Sequence, residues 1–277
     1  MKISLSVISL SVFCLFLSLS PAKAEEGRAH YLGNAGVMVA RGETKVLFDP
    51  FFRNDYGAFE LVPEEIESAI FEGLAPYNGI DAVFVSHHHE DHFDPNLLVA
   101  YLEAWPDMAL YAPQQAVDTL LTAAQPVGET VLDRIHGLAT ENGAEPVEVQ
   151  AGELLIEAVE VAHAGWPSRN TEIDNLAYRV TIDKTTTVVH MGDADKATEH
   201  YEPYRDYWEA RNVELAFVPV WLLLTEQGLF VLDEYVNAEH EIGVHVYDRV
   251  PDNPEDRPSD FDGLDIFTAP GEVRGLQ

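Results

Sequence analysis

Cysteine is almost absent from this 277-residue chain: the single one, Cys14, lies in an apolar N-terminal segment. Beyond that segment no disulfide can form, and no thiolate is available as a metal ligand. Positive charge is also scarce, with 16 lysines and arginines against 48 acidic residues and a formal charge of −32. Such a surface repels phosphate backbones and anionic bilayers, which argues against nucleic acid or a membrane surface as partner. Long apolar runs are missing too, apart from residues 3 to 19, which are short for a span and diluted by serine. No internal repeat and no Pro/Gly-rich linker divides the rest.

The N-terminus carries Met1-Lys2, then the apolar, serine-rich run, then Pro21-Ala22-Lys23-Ala24. A basic start, an apolar core and an A-x-A-like site predict a signal peptide over residues 1–24, cut after Ala24. The expected location is outside the cytoplasm, periplasmic or secreted, with no stable membrane span after cleavage. Residues 25–277 are expected to form one large domain.

The densest chemistry lies at Ser86-His87-His88-His89-Glu90-Asp91-His92, an H-x-H-x-D-H pattern with four potential metal ligands in six residues. It follows the apolar run Asp81-Ala82-Val83-Phe84-Val85 and precedes Phe93-Asp94-Pro95. That order predicts a strand, a ligand loop and a helix opened by proline. A loop at a strand end can aim several side chains at one point. Imidazole nitrogens with a carboxylate suit zinc, and also manganese or iron.

Further residues extend the pattern. His30-Tyr31-Leu32-Gly33-Asn34-Ala35-Gly36-Val37 reads as two strands joined by a Gly-x-Ala-Gly turn, and Lys45-Val46-Leu47-Phe48-Asp49-Pro50 as a strand ending in Asp-Pro. His163 ends an apolar run from Leu154. Asp193 follows Thr187-Val188-Val189-His190-Met191-Gly192, and His245 lies in Ile242-Gly243-Val244-His245-Val246. Together these motifs resemble the metallo-β-lactamase fold superfamily, within it the metal-dependent hydrolases similar to ascorbate-lactone hydrolases. The resemblance covers roughly residues 28 to 250. It implies an α/β fold, an αββα four-layer sandwich. It also implies two divalent ions, most simply zinc, with manganese or iron as alternatives. His87, His89 and His163 would hold one ion, and Asp91, His92 and His245 the other. Asp193 would bridge them, with Asp91 and Asp193 as the catalytic carboxylates. Two such ions, roughly 3.5–4 Å apart, can share a hydroxide nucleophile and clamp the attacking and leaving oxygens.

His88 and Glu90 occupy the variable positions and are read as non-ligands. His245 is favoured over His240 as the last ligand because it ends an apolar, β-like run; His240 is read as exposed or as a substrate contact. His190 reads as a buried strand histidine, and His30, His136 and His200 carry no pattern. Gly165-Trp166-Pro167-Ser168-Arg169-Asn170 follows His163, so Trp166 and Arg169 are candidate substrate contacts, with Arg169 suited to a carboxylate or phosphate. Lys196 is a weaker candidate. The aromatic stretch Phe51 to Phe59 is either a wall of the metal mouth or core packing. Pro63 is expected to open a helix with Ile66, Ala69, Ile70 and Leu74 on one face. Further helices are expected over Pro95–Trp105, Gln114–Ala124 and Thr198–Arg211, with a β-rich stretch between Val131 and Ala162. Residues 251–263 read as a loop or loosely held tail.

The expected function is hydrolysis of a small molecule with an ester, lactone or phosphodiester bond. Two alternatives stand beside it: a mononuclear iron enzyme of redox or sulfur chemistry, and a non-catalytic metal-binding scaffold.

Overall fold

The structure is a computed structural model and describes residues 27–123 and 126–276. The expected signal peptide, residues 1–24, lies outside the described residues, as does position 124 at the end of one expected helix. Among the described residues no helix is long and apolar enough to cross a membrane.

The first half of the chain supplies β1 (Arg28–Gly33), β2 (Gly36–Arg41), β3 (Thr44–Phe48), β4 (Ala82–Phe84), β5 (Ala109–Pro113) and β6 (Ile135–Leu138). The second half supplies β7 (Val147–Ala151), β8 (Leu154–Glu160), β9 (Leu176–Ile182), β10 (Thr186–His190), β11 (Leu215–Pro219) and β12 (Glu241–Val244). Finally β13 (Val273–Gly275) returns to the edge of the first sheet. The sheet orders are β13-β1-β2-β3-β4-β5-β6 and β12-β11-β10-β9-β8-β7.

The strands alternate as two-sided strands should. In β2 and β3, Val37, Val39, Val46 and Phe48 face the second sheet and join Tyr178, Val180, Val188 and Phe217. Met38 and Leu47 face the other way, against the helices α1 (Glu64–Glu72), α2 (Pro95–Ala104) and α3 (Gln114–Ala123). The outer face of the second sheet (Val159, Ala177, Val189, Ala216) packs on Tyr204, Tyr207, Trp208 and Leu232. The result is the four-layer αββα sandwich. Burial of an aromatic or branched side chain stabilises by about 1.5–3 kcal/mol each, so all three interlayer cores contribute.

Strand direction puts the chemistry in one place. β3, β4, β5 and β6 run parallel, as do β10, β11 and β12. β8 pairs antiparallel with β9, which pairs antiparallel with β10, so β8 shares the direction of β10. The carboxyl ends of β4, β8, β10 and β12 therefore release their loops at one end of the sandwich, where ligand-binding loops of α/β sheets gather.

Several expectations are corrected. The helix from Pro63 stops at Glu72, because Gly73 takes a left-handed turn (φ 63°), and Leu74 lies beyond it, 51% exposed. The expected helix Thr198–Arg211 is broken into two 3₁₀ turns, 198–200 and 202–204, and a short helix, Arg205–Glu209. Pro203 is the reason, since its ring removes a donor an α-helix would need there. The stretch from Val131 begins inside a helical turn, Glu129–Leu132, before β6. Residues 251–263 form an exposed loop with two 3₁₀ turns, but the chain that follows is held firmly: Ile266 and Phe267 are buried, and β13 pairs with β1.

Candidate metal centre

Each loop that carries a candidate ligand is fixed from beneath. After β4, the Ser86 amide and hydroxyl donate to Asp49 Oδ1 and Oδ2 (both 2.7 Å). Asp49 directly follows β3 and adopts φ 43°. The Asp94 side chain accepts the Leu97 amide (2.9 Å) and caps α2, whose first residue is Pro95. The Asp193 amide donates to Asn175 Oδ1 (2.9 Å) at the end of β10. His245 follows β12 in a left-handed conformation (φ 57°), and its amide donates to Asn34 O, where Asn34 is itself at φ 44°. Left-handed non-glycine residues cost energy and cluster where geometry is functional.

The side chains converge. His87, His89 and His163 bring nitrogens within 4.8 Å of one another, as do the donor atoms of Asp91, His92 and His245; a third such grouping joins His87, His92 and Asp193. Asp193 stands between the sets, with Oδ1 3.2 Å from His92 Nε2 and Oδ2 3.4 Å from His163 Nε2 and 3.3 Å from His245 Nε2. Asp91 Oδ2 lies 3.2 Å from His245 Nε2 and 3.8 Å from His92 Nε2. His87 Nε2 is 3.2 Å from His89 Nδ1.

Partners on the far side orient the rings. His92 Nδ1 lies 2.8 Å from Asp49 Oδ2, and an ionised carboxylate only accepts, so Nδ1 carries a proton and Nε2 points to the cluster. His163 Nδ1 is held in the same sense by Ala164 O at 2.9 Å. His87 Nδ1 lies 3.0 Å from Ser86 Oγ, whose own proton goes to Asp49. These are the contacts that set the tautomer of a metal-binding imidazole.

The test of whether a metal fits is what the inward atoms do without one. His92 Nε2, His163 Nε2, His245 Nε2 and Asp193 Oδ1 are buried and, despite their close approach to one another, form no aligned hydrogen bond. Leaving a buried polar atom unpaired costs about 1–3 kcal/mol. Four at one point need a common partner, and the donor set, imidazole with carboxylate, is that of zinc or a similar divalent ion.

Protonation divides the cluster. Burial and neighbouring imidazoles hold His87 well below its usual value and lower His89 to about 4. Burial opposes charge on His92 and His245 as well, but the attraction of Asp193 and Asp91 prevails, raising His92 well above its usual value and His245 to about 9. For Asp193, burial is outweighed by His245 and His92, and its carboxyl sits well below the ordinary range.

The cluster floors a cleft of about 520 Å³, within the usual size for small-molecule sites. Arg169 and Lys196 line it, as do Tyr56 and Phe59, which shows the aromatic stretch divided: Phe51 and Phe52 are core, whereas Tyr56 and Phe59 face the cleft. Trp166 does not line it; its ring packs edge-on against His200 (4.7 Å, 88°). His240 does not reach it either. That side chain is 53% exposed, lies 2.9 Å from Asp265 and borders a different cavity with Glu214 and Arg274. His88 and Glu90 stay outside the cluster, Glu90 accepting from Asn54 Nδ2 (2.7 Å). His190 is a buried strand residue, with Nε2 2.9 Å from Ala35 O. Sequence reasoning passed over Asp49, Asn34 and Trp221. Trp221 lies in the short helix Val220–Leu223, lines the cleft and donates its indole N–H to Ala194 O (2.9 Å).

Comparison with known proteins bears on the family and the fold. The beta-lactamase superfamily domain matches residues 44–245, and the chain belongs to that family. Protein Rv0786c of Mycobacterium tuberculosis is 32% identical over 165 residues, 59% of this chain and 62% of that protein. Two solved structures share the fold. The metallo-beta-lactamase fold protein YhfI of Bacillus subtilis has a TM-score of 0.57 at 15% identity, covering 91% of this chain and 100% of its own. The metallo hydrolase Igni18 of Ignicoccus hospitalis has a TM-score of 0.58 at 16% identity, covering 91% and 98%.

Proposed function

We propose that this protein is an exported, metal-dependent hydrolase of a small molecule, with two divalent ions, zinc in the first instance. The observation that carries the reading is the set of buried, unpartnered nitrogens and oxygen that converge on one point under an open cleft. His87, His89 and His163 would hold the first ion, Asp91, His92 and His245 the second, and Asp193 would reach both. When bound, such ions polarise the scissile bond and activate water at neutral pH.

The chain's own residues do the rest. Asp49 and Ala164 O fix the tautomers of His92 and His163, and Asn34 Nδ2 donates to the Asp91 carbonyl (2.9 Å), which steadies the H-x-H-x-D-H loop. Phe59 lies edge-on to His245 (4.1 Å, 75°) and Trp221 likewise (5.2 Å, 69°), shielding that ligand from solvent. The resemblance to ascorbate-lactone hydrolases favours a lactone or a phosphodiester as the bond cut, and the leader sequence supports export to the periplasm or medium.

The reading is tested by screening lactones, carboxylic esters and phosphodiesters with protein purified without chelator, in parallel with Asp193→Ala. Turnover of one class that disappears in the variant, with native circular dichroism, is the expected result. A variant with near-full turnover would remove the site from the reaction.

A further inference from the structure

The cleft has two unlike walls. One is aromatic: Phe59 stacks on Tyr247 (5.3 Å, 15°), and Trp221 stands beside them on His245. The other carries Arg169 and Lys196, from the loops that follow His163 and Asp193.

These two cations stand out against the charge of the chain. Most other basic side chains are engaged: Arg41 with Asp183, Arg53 with Glu67, Arg179 and Arg211 with Glu157, Arg274 with Asp265 and Glu272. Lys45 and Arg134 are spent on backbone carbonyls. Among the described residues Arg169 and Lys196 have neither an ion pair nor a hydrogen bond, in a protein with three times as many acidic as basic residues. Among the described residues Arg28 and Arg249 also lack an ion pair and a hydrogen bond, but neither lines the cleft, and Arg249 lies over the Tyr247 ring.

The local fold keeps them so. Gly165 has φ +103°, and a Cβ there would stand 2.5 Å from Arg169 Cγ and 2.6 Å from its Nε, so the arginine stem lies across the glycine. The Ser168 and Arg169 amides both donate to Gly165 O (3.0 Å). The Ala164 amide donates to Asp193 O (2.7 Å) and the Asp195 amide to Ala162 O (2.8 Å), which ties the two cation-bearing loops together. The carboxylate on this wall, Asp195, is engaged by backbone: Oδ1 accepts the Ala197 amide (2.9 Å) and Oδ2 the Gly165 amide (3.3 Å).

We infer that the substrate is an amphipathic anion, with a carboxylate or phosphate on Arg169 and Lys196 and an apolar body against Phe59, Trp221 and Tyr247. The bond between the two ends then crosses the His/Asp cluster. A guanidinium offers paired donors to either oxyanion and a lysine adds a point charge. An otherwise acidic surface repels anions at long range, so a small ligand governed by the local field fits and a polyanion does not. The inference rests on the hydrolase reading only for the choice of this cleft.

Titration calorimetry on the full, metal-replete protein tests it with three probes of equal apolar body: 4-phenylbutanoate, 4-phenylbutyl phosphate and neutral 4-phenylbutanamide. The wild type should bind at least one anion about tenfold or more tighter than the amide. The Arg169→Gln/Lys196→Gln double variant should lose that preference and keep its affinity for the amide. Gly165→Ala, which displaces Arg169 but retains its charge, should weaken the preference in the same direction. The anion that loses more in the double variant identifies the headgroup. No anion preference in the wild type overturns the inference, as does a preference that survives intact in the double variant, which would place the anion on the metals alone. Binding is read without turnover, so a protein that selects the anion yet hydrolyses nothing loses only the hydrolase reading.

Discussion

The two halves of the ligand cluster solve one problem differently. His87, His89 and His163 form a set of imidazoles without a carboxylate of their own, and burial keeps His87 and His89 neutral near pH 7. Asp91, His92 and His245 include a carboxylate and lean on Asp193, and without a metal these acids hold protons on His92 and His245. The first half is ready for a cation, whereas the second already has its negative charge met by protons. On the proposed reading a metal would enter the first by coordination and the second by exchange for protons. Asp193, within 3.4 Å of both His163 and His245, couples the two.

The largest effect that would break this comparison is expected from Asp193→Ala. Losing the shared carboxylate should empty both halves and lower turnover by more than about 100-fold, above the usual cost of losing a supporting contact alone. Retention of one fully occupied site, read by metal analysis, would show the halves to be independent. Next, His89→Ala and His245→Ala should each remove one ion and spare the other. Asp49→Asn should act mainly on the second half, weakening its metal by about 10- to 100-fold, because Asp49 touches His92 directly and reaches His87 only through Ser86. Equal weakening of both halves would contradict the division.

A smaller effect concerns protons. Filling the second half at pH 7 should release protons, and filling the first should release few. Calorimetry in buffers of different ionisation enthalpy reads the difference. The sign follows for the chelated protein. His245 is raised from 6.5 to about 9, so its contribution to stability is complete below 6.5 and is lost as pH rises through about 9. The metal-replete protein should lack this loss. The smallest effect lies away from the cluster. Burial and the charges of Asp174 and Glu141 raise Glu160 from 4.5 to about 7. The folded state therefore binds its proton more tightly, and stability falls as pH rises from 4.5 to about 7. Glu160→Gln should flatten the thermal-melt profile across that window.

The comparison also explains what could be read from the chain alone. His87, His89, Asp91 and His92 lie in one loop, and their alternation announces ligands before any fold is known. His163, Asp193 and His245 each end an apolar, strand-like run, a local signal that survives without coordinates. What supports them leaves no such trace. Asp49 meets Ser86 and His92 across 37 and 43 residues, and Asn34 meets Asp91 across 57. His240 was read as exposed or as a substrate contact; it is exposed, and Asp265, 25 residues on, is its partner. Trp166 had the right place in the chain but turns toward His200, while Trp221 was hidden in the apolar run Phe217 to Leu224, where β11 ends at Pro219 and a short helix, Val220–Leu223, carries Trp221 to the cleft. The helix expected at 198–211 failed on a single residue, Pro203, that side-chain periodicity does not register.

The most direct test of the central claim is metal analysis of the protein, purified without chelator or affinity metal, beside His89→Ala and His245→Ala. Two divalent ions per chain, falling to one in each variant, is the predicted result. A single iron, or no tightly bound metal in the wild type, would contradict a two-ion hydrolytic centre.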